Sequence, residues 1–206
     1  MKKVILLFLT LVIISTCYSQ IKFGVKSGIN IATTRDLITF PKNRLGWYGG
    51  GFSQISIHNK LFFQSEINFS SKGYRYEDLS DGKMSAMKLN YLTLPLLVGY
   101  GIDNKTKVSV GPELGYLVKA INNFNAGNVD ATSSFPKKID VGLAVGLQYD
   151  LIKSFGIEAR YIYGLKTFYQ TDVSGLRRSD YWAANRAFQL GIYYIFLSTK
   201  SNNNSL

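Results

Sequence analysis

The sequence predicts an all-β protein, an eight-stranded antiparallel up-and-down transmembrane β-barrel, on three observations. Eight segments alternate apolar with polar or small residues at period 2. The connections between them alternate long and short, as they do in an even-stranded barrel whose two ends return to one side of a membrane. The chain opens on an export signal, and no later stretch approaches 18 consecutive apolar residues, so strands rather than helices would do the crossing. Composition agrees. The 206 residues fit one domain; 13 Phe, 14 Tyr and 2 Trp suit paired strands that end at a membrane interface, and the 18% of charged residues is below the roughly 25% of a soluble domain.

Lys2 and Lys3 form a positive start, residues 4–14 an apolar core, and Cys17, Tyr18 and Ser19 lead to a cut before Gln20. The division is therefore a signal peptide over 1–19, an outer-membrane barrel over 20–197 and a polar tail over 198–206. The apolar core is too short for a spanning anchor, which needs roughly 20 residues. A lipoprotein would modify Cys17, but Thr16 in front of it is larger than that signal prefers. Cleavage removes the only cysteine, which leaves no disulfide or thiolate nucleophile, and takes two lysines, so +11 becomes +9.

Strand one sets Phe23, Val25, Ile29 and Ile31 against Gly24, Lys26, Gly28 and Asn30. Strand two, 45–57, loses its alternation at Phe52, and its run Gly49-Gly50-Gly51 suggests a bulge or a close backbone approach. Strand three sets Leu61, Phe63, Ile67 and Phe69 against Gln64, Glu66, Asn68 and Ser70. Strand four, 87–100, changes phase near Tyr91 and carries Pro95, which has no N–H to give a ladder and calls for a bulge. Strand five sets Val108, Val110, Leu114, Tyr116 and Val118 against Ser109, Gly111, Glu113 and Gly115. Strand six sets Val141, Leu143, Val145 and Leu147 against Asp140, Gly142, Ala144, Gly146 and Gln148. Strand seven sets Ile157, Tyr161 and Tyr163 against Glu158, Arg160 and Gly164, and strand eight sets Phe188, Leu190, Ile192 and Tyr194 against Gln189 and Gly191. Short turns fall at 58–60, 103–107 and 150–154, long polar segments at 33–44, 71–86, 120–138 and 167–185. The short turns are expected in the periplasm and the long loops outside the cell. A soluble lipocalin or sandwich is the alternative, but it would expose many charges on its polar face, where this chain has mostly Gly, Ala, Ser, Asn and Gln.

Five runs in order carry a family resemblance: Phe23-Gly24-Val25-Lys26-Ser27-Gly28-Ile29-Asn30, Gly49-Gly50-Gly51-Phe52, Gln64-Ser65-Glu66-Ile67-Asn68-Phe69-Ser70-Ser71-Lys72-Gly73, Leu89-Asn90-Tyr91-Leu92-Thr93-Leu94-Pro95-Leu96-Leu97, and Val110-Gly111-Pro112-Glu113-Leu114-Gly115-Tyr116. The chain resembles the PorT-like, porin-type outer-membrane β-barrel proteins of Bacteroidetes. That resemblance implies an eight-stranded outer-membrane barrel and, more distantly, a part in protein export by the type IX route. Barrels of this kind are folded by a barrel-assembly machinery that reads a terminal aromatic; here ten residues follow Phe196.

An eight-stranded barrel is filled by its own side chains, so a general pore is not expected. Lys26, Glu66, Glu113, Asp140, Glu158 and Arg160 all fall on the polar face and are expected to pair inside the lumen; an ion or proton path is the functional alternative. No enzyme is predicted. The single histidine, His58, lies in a predicted periplasmic turn, far from outer-leaflet substrates, which leaves only carboxylates such as Asp172 and Asp180; no metal or other cofactor is expected. Counted over 33–44, 71–88, 119–138 and 166–186, the loop segments carry fourteen Lys or Arg against seven acids, so most of the positive charge faces outward. Nucleic acid is a poor match for an exported barrel. The expected partners are outer-membrane lipid and lipopolysaccharide, whose phosphates Arg177, Arg178 and Arg186 would meet; a solvated basic surface is the plainer alternative. Trp47, Tyr48, Tyr74, Tyr76, Tyr169, Tyr181 and Trp182 are expected to form an interfacial girdle.

Overall fold

The computed structural model describes residues 20–35, 41–77, 82–124, 127–135, 138–165 and 184–199. In chain order the strands are β1 (Ile21–Arg35), β2 (Lys42–His58), β3 (Leu61–Glu77), β4 (Met84–Gly101), β5 (Thr106–Phe124), β6 (Gly127–Asp130), β7 (Ile139–Ile152), β8 (Phe155–Gly164) and β9 (Ala184–Ser198). β6 is a four-residue arm folded back on the end of β5, and a 3-10 turn at Thr132–Ser134 follows it. The other eight pair antiparallel in sequence order, and β1 pairs with β9, closing a ring of eight. Closure leaves no edge strand within the ring of eight, which a membrane requires because lipid offers backbone N–H and C=O groups no partner. No helix among the described residues is long and apolar enough to cross a membrane; the strands are what can.

Side chains are inverted relative to a soluble domain. Val25, Ile67, Val145 and Ile192 point outward and stay about half exposed or more, while Lys26, Glu66 and Arg160 on the inward faces of β1, β3 and β8 are less than 5% exposed. An apolar band facing out and charges facing in is the pattern that hydrocarbon selects.

The sequence reading needs correction at several places. Two of the long connections are partly strand: β3 runs to Glu77, β4 begins at Met84 and β5 reaches Phe124, so most of 71–86 and the start of 120–138 extend the barrel wall. Polarity there marks the face the side chains show to water, which does not prevent backbone pairing. Gly49 to Gly51 forms no bulge, since β2 keeps its register with β1 and β3 through that run. It is a close approach: a Cβ on Gly50 would strike the Ile67 carbonyl and the Asn68 side chain. Pro95 also sits without a bulge. The β3 and β5 ladders keep one register on either side of it but skip pairs, at 94–95 toward β3 and at 96–97 toward β5. The phase change near Tyr91 belongs to β5, where a register shift at Asn90/Tyr91 leaves Val118 and Lys119 both exposed; in β4 the odd positions face inward throughout. β9 ends at Ser198, one residue past the expected boundary.

Candidate functional site

The inward faces converge on a lumen crossed by buried charged side chains. Lys26 on β1, Glu66 on β3, and Glu158 and Arg160 on β8 reach one another because the inward neighbours Gly50, Gly146 and Gly191 take up little room. Lys26 Nζ lies 2.9 Å from Glu66 and 2.8 Å from Glu158. Arg160 grips Glu66 through both terminal nitrogens, at 2.8 and 2.7 Å, and approaches Glu158 at 3.6 Å. β3 and β8 stand four places apart in a ring of eight, so the Arg160–Glu66 fork spans the full width of the lumen.

Neutral donors complete the arrangement. The Tyr48 hydroxyl donates to Glu158 at 2.7 Å, and Gln64 and Asn68 donate to Glu66 at 2.6 and 2.8 Å. Two cations and two carboxylates are thereby neutralised with their oxygens well supplied, the condition under which buried ion pairs are tolerable.

A second level lies toward the long-loop end. Lys72 Nζ donates to Glu113 at 2.5 Å and sits over the Tyr91 ring. The Asn185 amide donates to the Tyr91 hydroxyl at 3.0 Å and to Asp140 at 2.7 Å. β9 and β4 are also opposite each other in the ring, so this contact too crosses the lumen. Apolar residues fill the rest: Leu89, Leu117, Ala120 and Phe135 pack around Tyr91, and Phe52, Tyr193 and Ile195 occupy the short-turn end. Phe52, whose inward position broke the sequence alternation, meets Tyr193 edge to face.

The structure thus brings Lys26, Glu66, Glu158 and Arg160 into one cluster and places Glu113 and Asp140 in another. Lys72 is a correction, since the sequence reading put it in an outer loop. The signal was available: Lys72 continues the even-numbered inward set of Glu66, Asn68 and Ser70. Tyr48 is a second correction; it is fully buried and serves the lumen network instead of a girdle. Tyr74 and Tyr76 continue the inward face of β3 as well, and the Tyr76 hydroxyl donates to Asn122. Trp47 faces outward and stacks on Phe69 at 5.1 Å. Tyr169, Tyr181, Trp182, Asp172, Asp180, Arg177 and Arg178 lie outside the described residues. Arg186 belongs to β9 and not to the preceding loop; it points outward with its guanidinium 5.1 Å from the Tyr163 ring centre. His58 is the exposed last residue of β2, at the short-turn end. Among the described residues no three His, Cys, Asp or Glu side chains are placed to share a metal ion.

The family described as outer membrane protein beta-barrel domain matches residues 16–170. Among solved structures, Neisserial surface protein A is 14% identical, with a TM-score of 0.56 over 84% of this chain and 97% of that one. OprG from Pseudomonas aeruginosa is 15% identical, with a TM-score of 0.46 over 86% and 95%. The attachment invasion locus protein Ail of Yersinia pestis is 13% identical, with a TM-score of 0.47 over 87% and 99%. At its identity the likeness to Neisserial surface protein A is one of fold. No curated protein matches the chain.

Proposed function

This chain belongs to the outer membrane protein beta-barrel domain family, and on that premise we propose that it is a non-enzymatic envelope barrel whose contacts are made by its basic outer rim and not through its lumen. The observation that carries the reading is the Arg160–Glu66 fork across the barrel, with both side chains at most 1% exposed. A lumen occupied in this way offers no path for solutes, so contact with partners falls to the ends. The partner we assign to the long-loop end is lipopolysaccharide, with outward-facing Arg186 at headgroup height beside Tyr163 and with Arg177 and Arg178 in the preceding segment. This orientation puts the short turns in the periplasm and rests on a signal peptide at 1–19. Nucleophilic catalysis would need a base near the acting group, and the one histidine, His58, sits at the opposite end from that rim.

Replacing Arg177, Arg178 and Arg186 together with Gln is expected to weaken lipopolysaccharide retention by the purified barrel and to flatten its salt dependence, since phosphate attraction by exposed cations is screened by salt. The fold should survive, because Arg186 faces outward on β9 and Arg177 and Arg178 fall in the long polar segment before it. Retention equal to that of the parent protein would return the loops to solvated charge.

The PorT-like runs from Phe23 to Asn30 and from Leu89 to Pro95 support a second reading, a Bacteroidetes barrel that assists protein secretion. Deletion separates the two. Cargo trapped in the periplasm would favour secretion, whereas altered envelope permeability with normal secretion favours the structural role; a changed lipid A mass would point to a lipid-modifying enzyme instead.

A further inference from the structure

The short-turn end carries its own excess of positive charge. Lys22, Lys60, Lys105, Lys107 and Lys153 face only two acids there, Asp103 and Asp150. Both acids are already engaged. Asp150 accepts from Lys107 at 2.5 Å and from the Tyr193 hydroxyl. Asp103 accepts the backbone N–H groups of Lys105 and Thr106, both at 2.7 Å, and those bonds hold its carboxyl below the usual carboxylate range. Lys60 turns away, donating to the Ile102 carbonyl and lying over the Tyr100 ring. Lys22, Lys105 and Lys153 are left with no carboxylate at ion-pair distance among the described residues.

All three line a single cavity of about 640 Å³. Lys22 is half-buried in it, with Lys107 as a repelling neighbour. Asp150, which lines the same cavity and is held by Lys107 and Tyr193, attracts it but not at ion-pair distance, so its ammonium has lost part of its water without a carboxylate of its own. The walls are mixed. Lys22 and Ile195 belong to inward faces, whereas Leu151 and Phe196 belong to the outward, lipid-facing side, so the cavity joins the lumen mouth to the membrane surface around the turn at Lys153 and Ser154.

We propose that this cavity binds the anionic headgroup of a phospholipid, with the phosphate among Lys22, Lys105 and Lys153 and the start of the acyl chains against Leu151 and Phe196. Free phosphate shares the headgroup chemistry but would leave the apolar wall unused. The proposal takes nothing from the filled lumen or the outer rim, so its failure would leave both of those readings standing.

Native mass spectrometry of the purified full barrel in detergent tests it, with phosphatidylglycerol and zwitterionic phosphatidylcholine as probes and inorganic phosphate as competitor. The parent protein is expected to keep one phosphatidylglycerol in preference to phosphatidylcholine. Changing Lys22, Lys105 and Lys153 together to Gln should weaken that preference at least about tenfold, as the loss of three cations near a lipid surface implies. Lys60→Gln, at the same end but outside the cavity, should leave it unchanged. If the triple variant fails to give the heat-modifiable band of a folded barrel, Lys153→Gln, which lies in a turn, carries the test. Equal binding of the two lipids, or undiminished preference in the variants, would overturn the proposal; displacement by equimolar inorganic phosphate would overturn the lipid assignment in favour of the free anion.

Discussion

Glu66→Gln is expected to produce the largest loss of stability of any single change in the lumen. Glu66 accepts the Arg160 fork, the Lys26 ammonium and the amides of Gln64 and Asn68. Neutralising it leaves two buried cations to share Glu158 alone, and it puts an amide donor against a guanidinium. Breaking a buried ion pair by removing one partner costs about 3–5 kcal/mol, because the remaining charge cannot be rehydrated. The variant should therefore unfold at a lower urea concentration and convert to the unfolded gel mobility at a lower temperature than the parent barrel. Removing both partners, as in Glu66→Met with Arg160→Met, leaves Lys26 and Glu158 balanced and should restore most of the loss. An unchanged midpoint in Glu66→Gln would mean that the network contributes little to the fold.

Lys72→Gln should be the next most damaging change, with a loss near the lower end of that same range of about 3–5 kcal/mol. Among the described residues Lys72 is the one cation at ion-pair distance from Glu113, and its Nζ also lies 5.7 Å from the centre of the Tyr91 ring. Its removal leaves Glu113 buried near Asp140, two carboxylates with no described cation at ion-pair distance. The measurement is the urea midpoint of the variant against that of Lys88→Gln, a change at a β4 position on the outward face. If the two variants behave alike, Lys72 is only a loop-end charge, as its polar surroundings in the sequence suggest.

Much of the barrel could be read from the chain because a membrane strand has to repeat itself. Period 2, short turns at 58–60, 103–107 and 150–154, and apolar residues on one face are local properties. Face assignment followed wherever the alternation was unbroken, which is why Lys26, Glu66, Glu113, Asp140, Glu158 and Arg160 could be placed on the inward face. Partners across the lumen were a different matter. That Arg160 meets Glu66, 94 residues earlier, depends on the ring order and on the relative height of β3 and β8, and no local pattern encodes either.

The errors share a cause. Lys72 reads as a loop charge because it lies in a polar segment, and Tyr48, Tyr74 and Tyr76 read as a girdle because they lie near strand ends, whereas strand parity governs where a side chain points. At Phe52 a large apolar residue on the inward face looked like a broken strand; its room comes from Gly24, where a Cβ would collide with the Phe52 ring. The glycines that look like interruptions in the sequence are the space into which the lumen side chains fit.

Planar-bilayer recording from the purified barrel tests the filled lumen most directly. With Arg160 and Glu66 joined across the ring and Asn185 and Tyr91 joined above them, the account predicts a flat baseline without unitary steps in the parent protein. A steady, large conductance from the folded parent barrel would contradict it, since ions would then be passing through a region that these side chains are said to occupy.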